Sequence, residues 1–274
     1  MTGLVSALRR PRLAALALAV AALLSACSDK KDEYVERPVE ELYNEAMDLI
    51  DKNEYMRASK AFEEVERQHP YSVWATKAQM MAAYALYERN KYDDAIIQLD
   101  RFIQLHPGNK DTAYAYYLKS LCYYEQITDV ARDQRMTEQA MKGLQEVVDR
   151  FPASSYAKDA KLKVDLARDH LAGKEMTIGR YYQGRAQWLA ALNRYKLVVE
   201  NYQTTTHVPE ALHRMVEIYL TLGLEEEAKR TAAVLGHNFP GSDWYEDTFS
   251  MVKSGKPAAE AAKGEKSSGW LGLW

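Results

Sequence analysis

Between Asn53 and Pro70 the apolar residues Tyr55, Ala58, Phe62 and Val65 recur at three- and four-residue intervals among charged ones, which places them on one stripe of an α-helix. The stripe returns 37 residues later as Tyr92, Ala95, Leu99 and Phe102. A second amphipathic segment precedes each stripe, carrying Leu42, Ala46 and Leu49 in the first case and Ala82, Ala83 and Leu86 in the second. Each pair is predicted to form a helical hairpin. The small Ala lets the two helices approach, the apolar residue four places on fills the space between them, and Pro70 or Pro107 stops the second helix. Asn53, His69 and Pro70 are matched by Asn90, His106 and Pro107, so the hairpin is a repeating unit.

Three further units follow. The third ends at Phe151-Pro152 with Ala140, Leu144 and Val147 in its second helix, and its length of 45 residues calls for an insertion, placed in the polar run Thr128 to Thr137. The fourth carries Ala191, Tyr195, Val198 and Tyr202-Gln203 and is longer still; Ala160, Leu162, Val164, Leu166 and Ala167 predict helix in the extra segment Ser155 to Leu171. Either its first helix is unusually long or Gly173 divides it, and the cost of about 1 kcal/mol for an interior Gly does not decide between them. The fifth shows Met215, Tyr219, Gly223, Ala228, Ala232, Leu235 and Phe239-Pro240. A period in the thirties with this pattern resembles the tetratricopeptide repeat. The expected fold is all-α, a superhelical array of about five tetratricopeptide-like hairpins, with repeats 1–3 in residues 39–152 and repeats 4–5 in 153–252. Abundant Ala with few Gly and Pro agrees with a chain of helices.

The ends of the chain have another character. Arg9, Arg10 and Arg12 precede an apolar run, Leu13 to Leu24, shorter than the ~20 residues a bilayer needs, so residues 1–26 are predicted to be an export signal. Leu24-Ser25-Ala26-Cys27 resembles the bacterial lipobox, which implies a lipid on Cys27 at the new amino terminus. Several acyl chains on one residue give durable anchoring. Ser28, where Asp would signal retention at the inner membrane, implies the inner leaflet of the outer membrane and a periplasmic orientation. Residues 27–38 form a charged tether reaching roughly 35 Å at about 3.3 Å per residue. Without the signal, 33 basic side chains face 39 acidic ones, a net charge of −6, and no basic patch suggests nucleic acid. Cys122 then has no intramolecular disulfide partner and is expected to be a buried small side chain. Residues 253–274 are predicted to be a disordered tail ending in the apolar tip Trp270-Leu271-Gly272-Leu273-Trp274.

Catalytic constellations are missing from the sequence. It has no His-Glu-x-x-His, Gly-x-Ser-x-Gly or Walker loop and no Cys pair for a metal, so neither an enzyme nor a cofactor beyond the lipid is expected. The paired Glu63 and Glu64 belong to a solvated face, and His69 and His106 to the structure of the repeat. A surface remains. The first helices of stacked hairpins line the inner face of such an array, and by repeat position this face carries Tyr43 and Met47, then Met80, Tyr84 and Tyr87, then Tyr114, Tyr117, Leu121 and Tyr124. Tyr gives large contact area for little lost side-chain entropy, which suits a groove for peptides.

Two stretches narrow the resemblance. HPYSVWATKAQMMAAYALYERNKYDDAI in repeats 1 and 2 and YYQGRAQWLAALNRY in repeat 4, with the lipobox and the tether, are similar to the BamD (ComL/YfiO) family of outer-membrane β-barrel assembly lipoproteins. The resemblance implies a non-catalytic scaffold that binds the POTRA domains of BamA, joins other BAM lipoproteins and recognises unfolded outer-membrane proteins for insertion. It implies a BamA contact at Trp188, Asn193 and Arg194, and a substrate pocket at Tyr71, Tyr84 and Tyr87 within the groove that also holds Tyr43, Tyr117 and Tyr124. The terminal Trp270–Trp274 tip is not part of that pattern. A pilotin for secretin assembly would share the anchor and the fold but not the repeat-4 residues, and an adaptor of peptidoglycan enzymes would share the compartment.

Overall fold

The structure, a computed structural model, describes residues 36–255. Cys27, the signal, most of the tether and the Trp270–Trp274 tip lie outside the described residues. Every regular element described is an α-helix: α1 (Val39–Asp51), α2 (Tyr55–Gln68), α3 (Val73–Glu88), α4 (Tyr92–Leu105), α5 (Thr112–Tyr124), α6 (Arg135–Arg150), α7 (Ser155–Gly184), α8 (Trp188–Asn201), α9 (Val208–Thr221), α10 (Glu225–Asn238) and α11 (Asp243–Ser254). The pairs α1–α2, α3–α4, α5–α6, α7–α8 and α9–α10 are the five predicted hairpins, and α1, α3, α5 and α7 lie side by side.

Local chemistry sets each hairpin. Four of the turns place one residue in left-handed backbone: Asn53 (φ 59°), Asn90 (φ 60°), Ala186 (φ 58°) and Gly223 (φ 74°). Asn tolerates this conformation better than other side chains, and here its Oδ1 is also used. Tyr55 Oη donates to Asn53 Oδ1 at 2.7 Å, and Tyr92 Oη to Asn90 Oδ1 at 2.9 Å. The second helices end alike. His69, His106, Phe151 and Phe239 stand before Pro outside helical backbone, with φ between −128° and −135° and ψ between 50° and 59°, each N–H returning to the carbonyl four residues back. Tyr202 does the same at φ −127° before Gln203, so repeat 4 keeps the cap without the Pro. His106 adds a bond from its ring Nε2 to Gln79 Oε1 at 2.9 Å.

The core runs along the array in adjoining clusters. Phe62, Leu99, Leu144 and Tyr195, the residues four after the repeat Ala, are completely buried. Tyr195 is larger than its counterparts and fits because Gly179 on α7 leaves room for its ring, where any Cβ would collide with it. Its hydroxyl donates to Gln183 Oε1 at 2.7 Å.

Helix α7 runs unbroken through Gly173 for 30 residues, which settles the alternative left open by the sequence. Gly173 is there for close approach, since a Cβ would lie 3.1 Å from His207 Nε2 and 3.6 Å from Val130 Cγ1. Two boundaries are corrected. The insertion ends at Gln134, because Arg135, Met136 and Thr137 already belong to α6, and Thr137 is buried with its hydroxyl donating to Gln134 Oε1 at 2.9 Å. Gln134 Nε2 in turn donates to the Arg132 carbonyl at 3.0 Å, and Lys174 Nζ reaches the carbonyls of Ala131 and Arg132 at 3.2 Å, tying the loop to α7. The tail begins later than residue 253, because Lys253 and Ser254 complete α11, a helix opened by the Ser242 hydroxyl accepting from Tyr245 N. That helix packs on α9 and α10 as a cap.

Candidate partner-binding surfaces

The first helices α3, α5 and α7 bring a run of phenol rings together. Tyr156 of α7 stacks on Tyr117 at 5.3 Å with 24° between planes and lies 5.2 Å from Tyr114, both of α5. Tyr84 and Tyr87 of α3 pack against the same cluster of buried residues as Tyr114 and Tyr117, and Tyr87 sits 5.8 Å from Tyr92 of α4. Burial, more than any charge, pushes the phenols of Tyr84, Tyr87, Tyr114 and Tyr117 above their ordinary value. They therefore remain protonated hydrogen-bond donors. Tyr117 Oη donates to Asp159, and Tyr87 Oη to Glu125 Oε1 at 3.5 Å. At the end of α5 the Lys163 ammonium lies 5.7 Å from the Tyr124 ring, and Tyr124, Glu125, Ile127, Leu166 and His170 line a hollow of about 390 Å³. Leu166, on α7, is 58% exposed there among the described residues.

Of the six candidate groove tyrosines, Tyr84, Tyr87, Tyr117 and Tyr124 belong to this trough. Tyr43 stands in the hairpin core, its ring 5.4 Å from Phe62 and 4.8 Å from Trp74. Tyr71 is fully exposed in the turn before α3, with no ring contact. Two members were not anticipated. Tyr156 falls in the irregular fourth unit, where position within the repeat was ambiguous, and Tyr92 had been given wholly to the second helix of its hairpin.

The second candidate surface lies at the start of α8. Trp188 is its first residue, half-buried against the C-terminal core, and Asn193 is exposed. Arg194 is already engaged: its guanidinium donates to Glu175 Oε2 of α7 at 2.9 Å. Further charge pairs follow on α7 and α9, Arg180 with Glu210 at 2.8 Å and Arg214 with Glu217 at 2.8 Å. Beyond these, His213, Arg214, Glu217, Trp244, Asp247 and Met251 surround a hollow of about 460 Å³ between α9 and α11. Nothing in the repeat pattern pointed to it, because α11 follows the Phe239-Pro240 end of the fifth hairpin and has no counterpart at the matched repeat positions.

The acidic pair lies on a solvated face, with Glu63 exposed and Glu64 paired with Arg67 at 2.5 Å. Glu63 accepts from Gln98 Nε2 at 3.4 Å, and the neighbouring Glu66 pairs with Arg101 at 2.5 Å, so α2 and α4 are linked across the outer face. Burial raises the Cys122 thiol to about 12, which makes it inert. Among the described residues no group of three or more His, Cys, Asp or Glu is placed to hold a metal, and no helix is long and apolar enough to cross a membrane.

A family model described as YfiO, outer membrane lipoprotein, matches residues 35–235. The outer membrane protein assembly factor BamD of Caulobacter vibrioides is 51% identical over 260 residues, 93% of this chain and 85% of that protein. BamD of Rickettsia prowazekii is 44% identical over 244 residues, 89% of this chain and 97% of that protein. Among solved structures, the TPR domain of P58(IPK) is similar with a TM-score of 0.41 and 14% identity, covering 78% of this chain and 55% of that chain. A match that spans most of the repeat array, together with relatives of this identity over nearly the whole length, places the chain in the YfiO family of outer membrane lipoproteins.

Proposed function

We propose that this chain is a non-catalytic scaffold for the assembly of outer membrane proteins. In this reading its C-terminal repeats hold the POTRA domains of BamA beside other BAM lipoproteins, and its N-terminal trough receives segments of unfolded outer-membrane proteins. A lipid on Cys27 keeps it at the inner leaflet of the outer membrane, facing the periplasm. The observation that carries the proposal is the likeness, over 93% of the chain, to a protein named an outer membrane protein assembly factor. The half-buried rings and phenol donors of the trough add a surface suited to extended peptides, which offer both apolar side chains and backbone acceptors.

The BamA contact is assigned to Trp188, Asn193 and Arg194. Arg suits it because a planar guanidinium can hold Glu175 with one edge and a partner's carboxylate with the other. Full-length lipoprotein carrying Arg194→Glu, used to capture BamA from detergent-solubilised envelopes, is expected to recover about tenfold less, a loss of ~1.4 kcal/mol. Because that change also sets two carboxylates against each other, the swapped pair Arg194→Glu with Glu175→Arg serves as control. It restores the internal ion pair and is expected to leave BamA capture low. Full capture by the single variant, or recovery by the swap, removes Arg194 from the interface. A secretin or a murein hydrolase as the dominant partner would replace the whole reading.

A further inference from the structure

The ends of α3 and α5 that close the trough each carry a carboxylate, the wrong sign for a helix C-terminus, although Arg89 caps α3. Glu88 is the last residue of α3, Glu125 caps α5, and neither helix has a basic residue in its last turn. A helix C-terminus is the negative end of the backbone dipole and favours a cation. Among the described residues neither carboxylate makes an ion pair, and the adjacent Arg89 makes none either. Other carboxylates of the array are matched: Glu66 with Arg101, Asp100 with Lys119, Asp159 with Lys163 and Glu175 with Arg194.

Two aromatic rings stand beside this unbalanced charge. Tyr87 and Tyr92 pack on each other, their ring centroids 5.8 Å apart with 58° between planes, and present one aromatic surface. Tyr87 Oη reaches Glu125 Oε1 only at 3.5 Å, and Tyr92 Oη is turned to Asn90, so most of the acceptor capacity of Glu125 is open. Glu88 stands one turn beyond Tyr84 on α3 and bonds that phenol, while Glu125 meets Tyr87 from the end of α5, so both carboxylates border the trough. No third ligand is at hand for a metal ion.

We propose that this slot, beside the paired rings of Tyr87 and Tyr92 and with Glu88 and Glu125 as acceptors, takes the Arg or Lys side chain of a polypeptide segment lying in the trough. A guanidinium there makes charge-assisted bonds to the carboxylates, meets the faces of the phenol rings and answers both helix ends at once. The inference rests on the trough being a peptide site and adds a preference: apolar segments with a basic residue bind better than neutral ones.

The test uses the full-length lipoprotein in detergent micelles and two fluorescein-labelled peptides of alternating Tyr and Gln, identical except for a central Arg or its neutral isostere citrulline. Fluorescence anisotropy is expected to show the Arg peptide binding about fivefold tighter or better, a preference that high salt erodes. The double variant Glu88→Gln, Glu125→Gln is expected to bind both peptides alike, at the affinity of the citrulline one. Its helicity is kept, since removing negative charge from helix C-termini favours them, and circular dichroism checks this. Equal binding of the two peptides by the unmodified protein overturns the slot and leaves the trough standing, as does a preference that survives the double variant. Failure of both peptides to bind overturns the trough, and the slot with it.

Discussion

Ala186 holds a backbone conformation that suits it poorly. At φ 58° it occupies the turn position filled by Asn53, Asn90 and Gly223 in other hairpins, but it has neither the amide of Asn nor the freedom of Gly. A left-handed conformation costs an ordinary residue about 1–2 kcal/mol, whereas Gly loses about 0.4–1 kcal/mol more backbone entropy on folding. The difference favours Gly, so Ala186→Gly is expected to stabilise the chain by about 0.5 kcal/mol and raise the melting midpoint by roughly 1–2 °C. Calorimetry on the full chain checks this, and a lower midpoint would show that the Ala methyl packs usefully where it stands. The sequence marked the turns at Asn53 and Asn90 through their matched repeats, but nothing in the letters Arg-Ala-Gln singled out residue 186. A left-handed Ala is dictated by the closure of the hairpin around it and has no chemistry of its own to read.

At the level of elements, α11 was the helix most easily overlooked. Trp244, Thr248 and Met251 face the core at helical spacing behind the capping Ser242, so its stripe was readable. It has no second helix and no matching copy, and a search by repeats passes over it. Its attachment is a buried polar relay. The Thr248 hydroxyl donates to the Trp244 carbonyl at 2.7 Å, which leaves its oxygen to accept from His213 Nδ1–H at 2.8 Å. The other ring nitrogen, Nε2, lies 3.9 Å from Glu217, with Arg214 and Asp247 in the same hollow. Burial is the dominant influence and holds His213 below its ordinary value of 6.5, against the opposing pull of Glu217 and Asp247. The unfolded chain therefore takes up a proton that the folded chain refuses. The stabilising contribution of the neutral ring is complete above about pH 6.5 and falls away as the pH drops from there toward the folded value. The protection of α11 amides, taken relative to their intrinsic exchange rate at each pH, is expected to fall on going from neutral to mildly acid buffer, and to lose most of that dependence in His213→Asn. An α11 equally protected at both pH values would show that the ring does not govern the cap.

Across the whole array, stability is shared between neighbours. Helix α3 gives Ala78, Ala82 and Ala85 to the cluster around Phe62, and Met80, Ala83 and Leu86 to the next cluster around Leu99 and Phe102. The cluster around Tyr195 draws instead on α7 to α11. The stripes of three- and four-residue spacing foretold Phe62, Ala82, Ala83, Leu86, Leu99 and Phe102, because a buried face leaves a periodic trace, whereas Met80, placed on the inner face by repeat position, is buried in the core. The trough was only partly legible: repeat position put Tyr43 beside Tyr84 and Tyr117, yet Trp74 and Phe62 draw it into the core, a tertiary contact that no periodicity encodes. The division of the core also decides how damage spreads. Phe62→Ala removes a fully buried ring and costs about 3–5 kcal/mol where it stands. In an array coupled only through adjacent units, that loss stays local. Hydrogen exchange of the full-length variant is expected to show faster exchange throughout α1, α2 and α3, with α9, α10 and α11 keeping the protection of the unmodified protein. A uniform loss reaching α11 would mean that the hairpins unfold as one cooperative block, and the two candidate surfaces would then be coupled through the stability of the entire chain.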